Sequence, residues 1–322
     1  MKLSRRSTLA FAVACTLATG AFAQAWPAKP IRLVVPFPAG GGTDIIAREV
    51  ASKVTGSGYT FVVENKPGSG GNLGVDVAAK SPADGYTLVL GQTSNLAINP
   101  TLYAKLPYDP LKDLTPVSLV ASAPLVIVVA ADSPYKTLAD VVATAKAKPG
   151  FLNYATSGNG TVAHLATESF QKAASVKLTH VPYKGAAQGA TDLIGGQVQL
   201  YVSSIPTLIG HIKSGKMRAV AVTSAKRADD LPQVPTIAES GYKGFEAVTW
   251  FGIAGPANLP KEIVAKLNAD INKALQAADL QKKLGDQGAD VAGSTPAQFS
   301  QLIRDDIARW GKIVRESGAK VD

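Results

Sequence analysis

Short apolar runs of strand length alternate with longer segments of helical period along almost the whole chain, a pattern that points to α/β layers around a mostly parallel sheet. Residues 31–35 read as a strand and 44–54 as a helix, with Ile45, Ile46, Val50 and Val54 on or near one face. Residues 60–63 are strand-like, 72–80 helical and 87–90 strand-like, which completes a βαβαβ half. Two β-rich runs, 116–120 and 125–130, follow on either side of Ser122-Ala123-Pro124. A second βα series then runs through a helix at 138–146, a strand at 151–155, a helix at 161–173, a strand at 178–181 and a helix at 186–194. Strands at 198–202 and 218–223, around a helix near 206–213, bring it to an end. Beyond the turn-rich Leu231-Pro232-Gln233-Val234-Pro235 come a strand at 247–254 and helices at 260–277, 280–287 and 296–317. Helices at the end of a chain usually dock on a domain already present. The pattern therefore implies two α/β domains joined by two crossing segments: a discontinuous first domain, 24–123 plus 225–322, and an inserted second one, 124–224.

The N-terminus has a different character. Lys2, Arg5 and Arg6 precede an uncharged run from 7 to 23 that ends in Ala21-Phe22-Ala23, so 1–23 read as a cleaved secretory signal peptide. Ser4-Arg5-Arg6 is also similar to the start of a twin-arginine signal, although the aromatic residue expected after the pair is missing. Losing those three cations takes the formal charge from +9 to +6. No run of Lys and Arg exceeds two residues, as at Lys282-Lys283, so a nucleic-acid surface is not indicated. The only cysteine, Cys15, lies inside the signal, where Ala12 stands in the place a lipoprotein signal prefers Leu. The mature chain thus has no thiol for a disulfide, a thiolate metal site or a nucleophile. The longest apolar stretch, 117–131, is interrupted by Ser118, Ser122 and Pro124, and a soluble, exported protein is expected.

The most informative loop is Pro36-Phe37-Pro38-Ala39-Gly40-Gly41-Gly42-Thr43-Asp44, between the first strand and the first helix. Its glycines leave backbone N–H groups uncovered beside a helix N-terminus, where free donors and the dipole favour an anion. A tight turn with Thr43 or Asp44 as N-cap is the other reading. Neither this loop nor Pro67-Gly68-Ser69-Gly70-Gly71-Asn72-Leu73-Gly74 has a nucleotide-binding spacing, and no cofactor is expected. The second cluster reads as a turn and helix cap before it reads as a ligand contact. In the inserted domain Ala155-Thr156-Ser157-Gly158-Asn159-Gly160-Thr161 again joins a strand to a helix, its Thr161 being either a cap or a ligand contact. Pro182-Tyr183-Lys184-Gly185 has the same setting, with Tyr183 and Lys184 as candidate polar contacts and Lys184 equally a solvated charge.

Catalytic patterns are missing from the sequence. His164, His180 and His211 have no zinc-binding spacing, no Gly-x-Ser-x-Gly elbow occurs, and the pairs Asp229-Asp230 and Asp305-Asp306 fall in turn-like or exposed helical contexts. The histidines read as structural, and no metal site is expected. Trp250-Phe251 reads as core, with the alternative that an aromatic at a strand end lines a cleft.

The assembled segments resemble the Bug (Bordetella uptake gene) family, the solute-binding components of tripartite tricarboxylate transporters. The resemblance is carried by Trp26-Pro27, the 36–44 loop, Glu64-Asn65-Lys66-Pro67-Gly68, Ser81-Pro82-Ala83-Asp84-Gly85-Tyr86, Ile98-Asn99-Pro100, Leu106-Pro107-Tyr108-Asp109-Pro110, His180-Val181-Pro182-Tyr183-Lys184-Gly185, Gly195-Gly196-Gln197-Val198 and Pro232-Gln233-Val234-Pro235-Thr236. It implies a two-lobed periplasmic binding protein of the Venus flytrap type, type II-like, that closes on a small carboxylate and delivers it to membrane permease subunits, binding rather than turnover being its activity. By resemblance the grip comes from loop amides and ordered water, at Ala39, Gly40, Gly41 and Asp44 in the first lobe and Ser157, Thr161 and Tyr183-Lys184-Gly185 in the second. Thr93, Ser94 and Asn95 are further candidates, and the bulk of Phe37 is expected to limit the ligand's size or its charge at the far end. A monomer is expected. A receptor signalling to a periplasmic sensor kinase is the alternative partner reading.

Overall fold

The computed structural model describes residues 26–319 and 321. The 1–23 signal and Cys15 lie outside the described residues. The first half follows the predicted periodicity: β1 (Ile31–Val35), α1 (Gly42–Val54), β2 (Phe61–Asn65), α2 (Asn72–Ala79) and β3 (Thr87–Gln92). A π-helical turn, Ser94–Ile98, then leads into the single turn α3 (Asn99–Leu102). After β4 (Leu114–Ala130) come α4 (Leu138–Ala147), β5 (Asn153–Thr156), α5 (Val162–Ala174), β6 (Thr179–Pro182), α6 (Ala186–Ile194), β7 (Leu200–Ser204), α7 (Ile205–Lys213) and β8 (Met217–Val222). The chain returns through β9 (Val248–Pro256), α8 (Lys261–Leu275), α9 (Ala278–Asp286), β10 (Asp290–Val291) and α10 (Pro296–Ser317).

The strands form one curled sheet in the order β2-β1-β3-β9-β4-β7-β5-β6, with β8 and β10 also paired to β4. β1 runs parallel to β2 and β3, and β5 runs parallel to β6 and β7, as helical crossovers require. The middle is antiparallel, because β9 lies between β3 and β4 and opposes both. The sheet is therefore mixed and not mostly parallel: β9 re-enters from the far wing, so it runs against the strands laid down by crossovers.

A second departure concerns residues 116–130, which the sequence suggests are two strands broken at Ser122-Ala123-Pro124. They belong to the single strand β4. Its first part, Leu114 to Pro124, pairs with β9; from Leu125 its partners are β7 and β8. Pro124 has no N–H to give, but it stands where one ladder ends and the next begins, which is where a strand tolerates proline. The next amide, Leu125 N, donates to Thr223 Oγ1 at 2.9 Å. One strand thus serves two wings.

Among the described residues, three apolar clusters fill the layers. One, around Ile46, Leu90, Phe251 and Leu267, is confined to the first wing, and another, around Val126, Tyr201 and Leu208, fills the second and takes in Leu231 of the returning chain. The third runs unbroken across both, from Val34 and Leu96 through Phe299 and Trp310 to Phe170 and Leu200. α10 ties it together. Its Thr295 cap and Gln298 form a reciprocal capping box, and Phe299, Ile303, Trp310 and Val314 make its buried face. The indole Nε1 of Trp250 on β9 donates to Asp306 Oδ2 at 2.6 Å, and the Phe299 ring meets the Trp250 ring edge-on at 5.6 Å.

Gly252 on β9 lies under Phe299: a Cβ there would fall 2.1 Å from the ring. Gly252→Ala is expected to destabilise the fold by about 1–3 kcal/mol through overpacking, read as a lower urea midpoint at unchanged slope.

Candidate functional site

The loops that follow β1, β5, β6 and β7 each end in a helix start, and all four starts point into one chamber of about 60 Å³ between the wings. Gly41 and Gly42 open α1, Thr161 and Val162 open α5, Gly185 and Ala186 open α6, and Ser204 opens α7. Each helix start carries about half a positive elementary charge together with unpaired N–H groups. Gln92, Thr249 and Phe251 close the rear wall, and none of the described lining residues is acidic or basic. Such a chamber offers an anion several backbone donors and hydroxyls without a cationic side chain. A carboxylate held by two or three N–H groups stays ionised for that reason alone.

The wings meet at this point. Gly42 N donates to Thr207 Oγ1 at 3.1 Å, and Val162 N donates to Ser94 Oγ at 3.3 Å, each bond joining opposite wings. A Cβ on Gly42 would lie 2.7 Å from Ser204 Oγ and 3.1 Å from Thr207 Oγ1, so the close approach needs glycine there. Within the second wing Thr161 caps α5, accepting from His164 N and donating to Gly158 O. Ser157 Oγ lies 3.3 Å from the hydroxyl of Tyr201, which in turn donates to Ala186 O.

Of the thirteen residues singled out from the sequence, Phe37, Gly41, Ser94, Ser157, Thr161 and Gly185 line the chamber. Tyr183 and Lys184 line a wider groove of about 620 Å³ outside it, which shares Phe37, Pro38 and Ser157 with the chamber. The Tyr183 hydroxyl donates to Asp192 Oδ2 at 2.7 Å, and burial together with that carboxylate pushes it up to about 12. Ala39 and Gly40 are exposed at the loop's outer turn. Thr93 and Asn95 are buried behind the lining: Thr93 Oγ1 accepts from Trp250 N, and Asn95 Oδ1 accepts from Gln92 N.

Asp44 neither lines the chamber nor caps α1, whose N-cap is Gly41. Its buried carboxylate instead organises the loop, accepting from Gly40 N at 3.0 Å, Asn65 Nδ2 at 2.9 Å and Arg48 Nε at 2.9 Å. Burial alone would raise its pKa, but the bonds from Arg48, Gly40 and Asn65 outweigh burial and hold it below the usual carboxylate range. Asn65 Nδ2 also donates to Phe37 O, so one amide ties both ends of the loop. Thr43, likewise suggested as a cap, lies within α1 and accepts from Gln92 Nε2 at 3.3 Å. The lining residues that sequence reasoning missed are mainly Ser203, Ser204 and Thr207. The available signal was the serine two residues before Pro206, an N-cap placed just ahead of a proline in the first helical turn.

Known proteins are similar to this chain over most of its length. The family model described as the tripartite tricarboxylate transporter family receptor matches residues 46–319. The chain is 41% identical to Protein BugT of Bordetella pertussis over 313 residues, 97% of this chain and 96% of that one. Among solved structures, R. palustris Rpa4515 with adipate superposes with a TM-score of 0.89 at 37% identity, covering 92% of this chain and 100% of that one. MatC from Rhodopseudomonas palustris with bound malate gives 0.84 at 32% identity, covering 90% and 100%.

Two outcomes follow from the geometry. Gly42→Val wedges the wings apart and should enlarge the radius of gyration in small-angle scattering; an unchanged radius would mean that the 42–207 contact does not set their separation. Asp44→Asn removes a charged acceptor from three donors and should cost about 1–3 kcal/mol in chemical unfolding.

Proposed function

The chain belongs to the family of tripartite tricarboxylate transporter receptors, periplasmic solute-binding proteins of two-lobed fold, and on that basis we propose that it captures a small carboxylated solute between its lobes for uptake by the membrane subunits of such a transporter. The observation that carries this reading is the meeting of four helix starts around a chamber whose described lining has no charged side chain. A cation is repelled there and a neutral solute leaves donors unmatched, whereas a carboxylate satisfies them. The adipate and malate bound to two structural neighbours are carboxylates too.

The lobes we propose are 24–123 plus 225–322 and 124–224, a division supported by the change of partner along β4 between Pro124 and Leu125. Export through the 1–23 signal fits the family's compartment. Among the described residues no helix is long and apolar enough to cross a membrane. Capture works by exchange of acceptors. The amides of Gly42 and Val162, now bonded to hydroxyls of the opposite lobe, are the donors a carboxylate oxygen would take over. A ligand touching both lobes shifts the equilibrium toward closure by its differential affinity for that form. Phe37, half-buried and shared by chamber and groove, limits what extends beyond the carboxylate.

Thermal unfolding against a panel of small carboxylic acids and their uncharged amides tests the proposal. A ligand at about 100 times its Kd adds roughly 2.7 kcal/mol, a shift of a few degrees confined to acids. Shifts from amides, sugars or amines with none from acids would reject it. Ser157→Ala should weaken the binding acid by about 1–3 kcal/mol in calorimetry. Gly41→Val should abolish binding while the fold survives, because a Cβ at Gly41 meets only Pro38 O, at 3.7 Å.

A further inference from the structure

Directly behind the chamber, two histidines from different elements lie ring on ring. His164 of α5 and His180 of β6 stack with centroids 4.1 Å apart and planes 10° apart, and Tyr154 of β5 stacks on His180 at 4.8 Å. Both rings bond the loop 156–161 that carries Ser157 and Thr161 to the chamber. His164 Nδ1 accepts from Gly160 N at 3.3 Å, and His180 Nε2 lies 2.7 Å from Thr156 Oγ1. That hydroxyl is also bonded to both backbone groups of Gly158, whose carbonyl accepts from Thr161 Oγ1 as well. Each turn of the loop is therefore fastened to an imidazole or to a group that an imidazole holds.

We infer that His164 and His180 are positioning residues for the chamber, and that the loop 156–161 keeps its ligand-accepting form only while Nδ1 of His164 carries no proton, His180 holding Thr156 behind it. The inference rests on the reading of the chamber as a carboxylate site. Nδ1 of His164 can accept the Gly160 amide only when it carries no proton; a proton there sets donor against donor and frees the loop. A charge on either ring would also sit stacked on its neighbour, so the two cannot both be cationic.

Among the described residues, Glu168 and Tyr154 are the titratable groups that bear on the pair. Glu168, one turn along α5 from His164, already accepts from the Tyr154 hydroxyl at 2.6 Å and from Gln171 Nε2 at 2.7 Å. Tyr154 is the group from β5, and α3 brings the uncharged Asn99 and Leu102 against Gly160. Burial lowers the pKa of both histidines, Glu168 opposing this at His164 and the neighbouring ring adding to it at His180. Lowered values in the compact form mean that the hold is complete above the ordinary histidine range and weakens progressively as pH falls below it towards the lowered values, because a released ring takes up a proton that a stacked one refuses.

Two measurements decide the matter. In the ligand-free protein, the Gly160 amide resonance should move between about pH 7.5 and pH 5 with the midpoint of the His164 Cε1 resonance. A Gly160 resonance that ignores that titration overturns the inference. Calorimetry with adipate as probe should give a Kd that rises at least about fivefold over the same interval, with a limit near thirtyfold for a ring released at its ordinary pKa of about 6.5. His164→Gln, whose side-chain oxygen can still accept from Gly160 without titrating, should bind adipate at the higher pH and lose the dependence; His211→Gln should keep it. A smaller rise in the natural chain, or the same rise in His164→Gln, overturns the inference. Failure of adipate to bind at any pH counts against adipate as ligand, and the resonance measurement then decides the histidine hold by itself.

Discussion

A helix that begins without a capping side chain must find acceptors for its first amides elsewhere, and in this molecule three of the four starts at the cleft lack one: Gly41, Gly185 and Ser204 make no side-chain cap bond. Buried amides left unmatched cost on the order of 1–3 kcal/mol each. Thr207 meets part of that need at α1 from across the cleft, and at α5, where Thr161 caps His164 N, Ser94 takes the first amide in the same way. The same need makes the cleft receptive to an anion. A serine or aspartate cap at position 41 would satisfy the amide of Thr43 or Asp44 locally and still leave Gly42 N to be met from the other lobe.

That constraint explains how the chamber can favour an anion with no charged side chain among its described lining residues. Arg48 lies beside the first loop, but its guanidinium is spent on Asp44 and reaches Asn65, outside the chamber lining. Asp44 in turn spends its charge on the loop's own backbone. The ionic groups shape the donors, and in the proposed function it is the donors that would meet the ligand. Shape and hydrogen-bond count, more than long-range attraction, then decide which acid fits.

Most of the element order was legible because each strand and helix carries its own period. The segment 94–102 was not. Ser94-Asn95-Leu96-Ala97-Ile98 has no clear period and is wound by bonds to distant groups, Tyr108 donating to Asn95 O and Asn99 to Gly70 O. Pro124 misled for the opposite reason, since a strong local rule against proline in a strand gives way where the strand exchanges partners. At the site, the glycine loops before α1, α5 and α6 announced themselves through composition. Ser204 and Thr207 did not, because hydroxyl residues after a strand are common and only their position opposite Gly42 makes them distinctive. The role of Asp44 depends on Asn65, twenty-one positions away, a separation over which no periodic signal acts.

The strand β4 has one further consequence. Because Leu114–Ala130 is hydrogen-bonded into both ladders, neither lobe can shed it without fraying the other, and the apolar cluster beneath α10 spans the same junction. Two lobes with separate faces should therefore lose their structure as one cooperative unit. Any movement between them would have to bend a continuous ribbon, so a hinge there would act as a spring with a preferred angle, and each closure would be made against its elastic return.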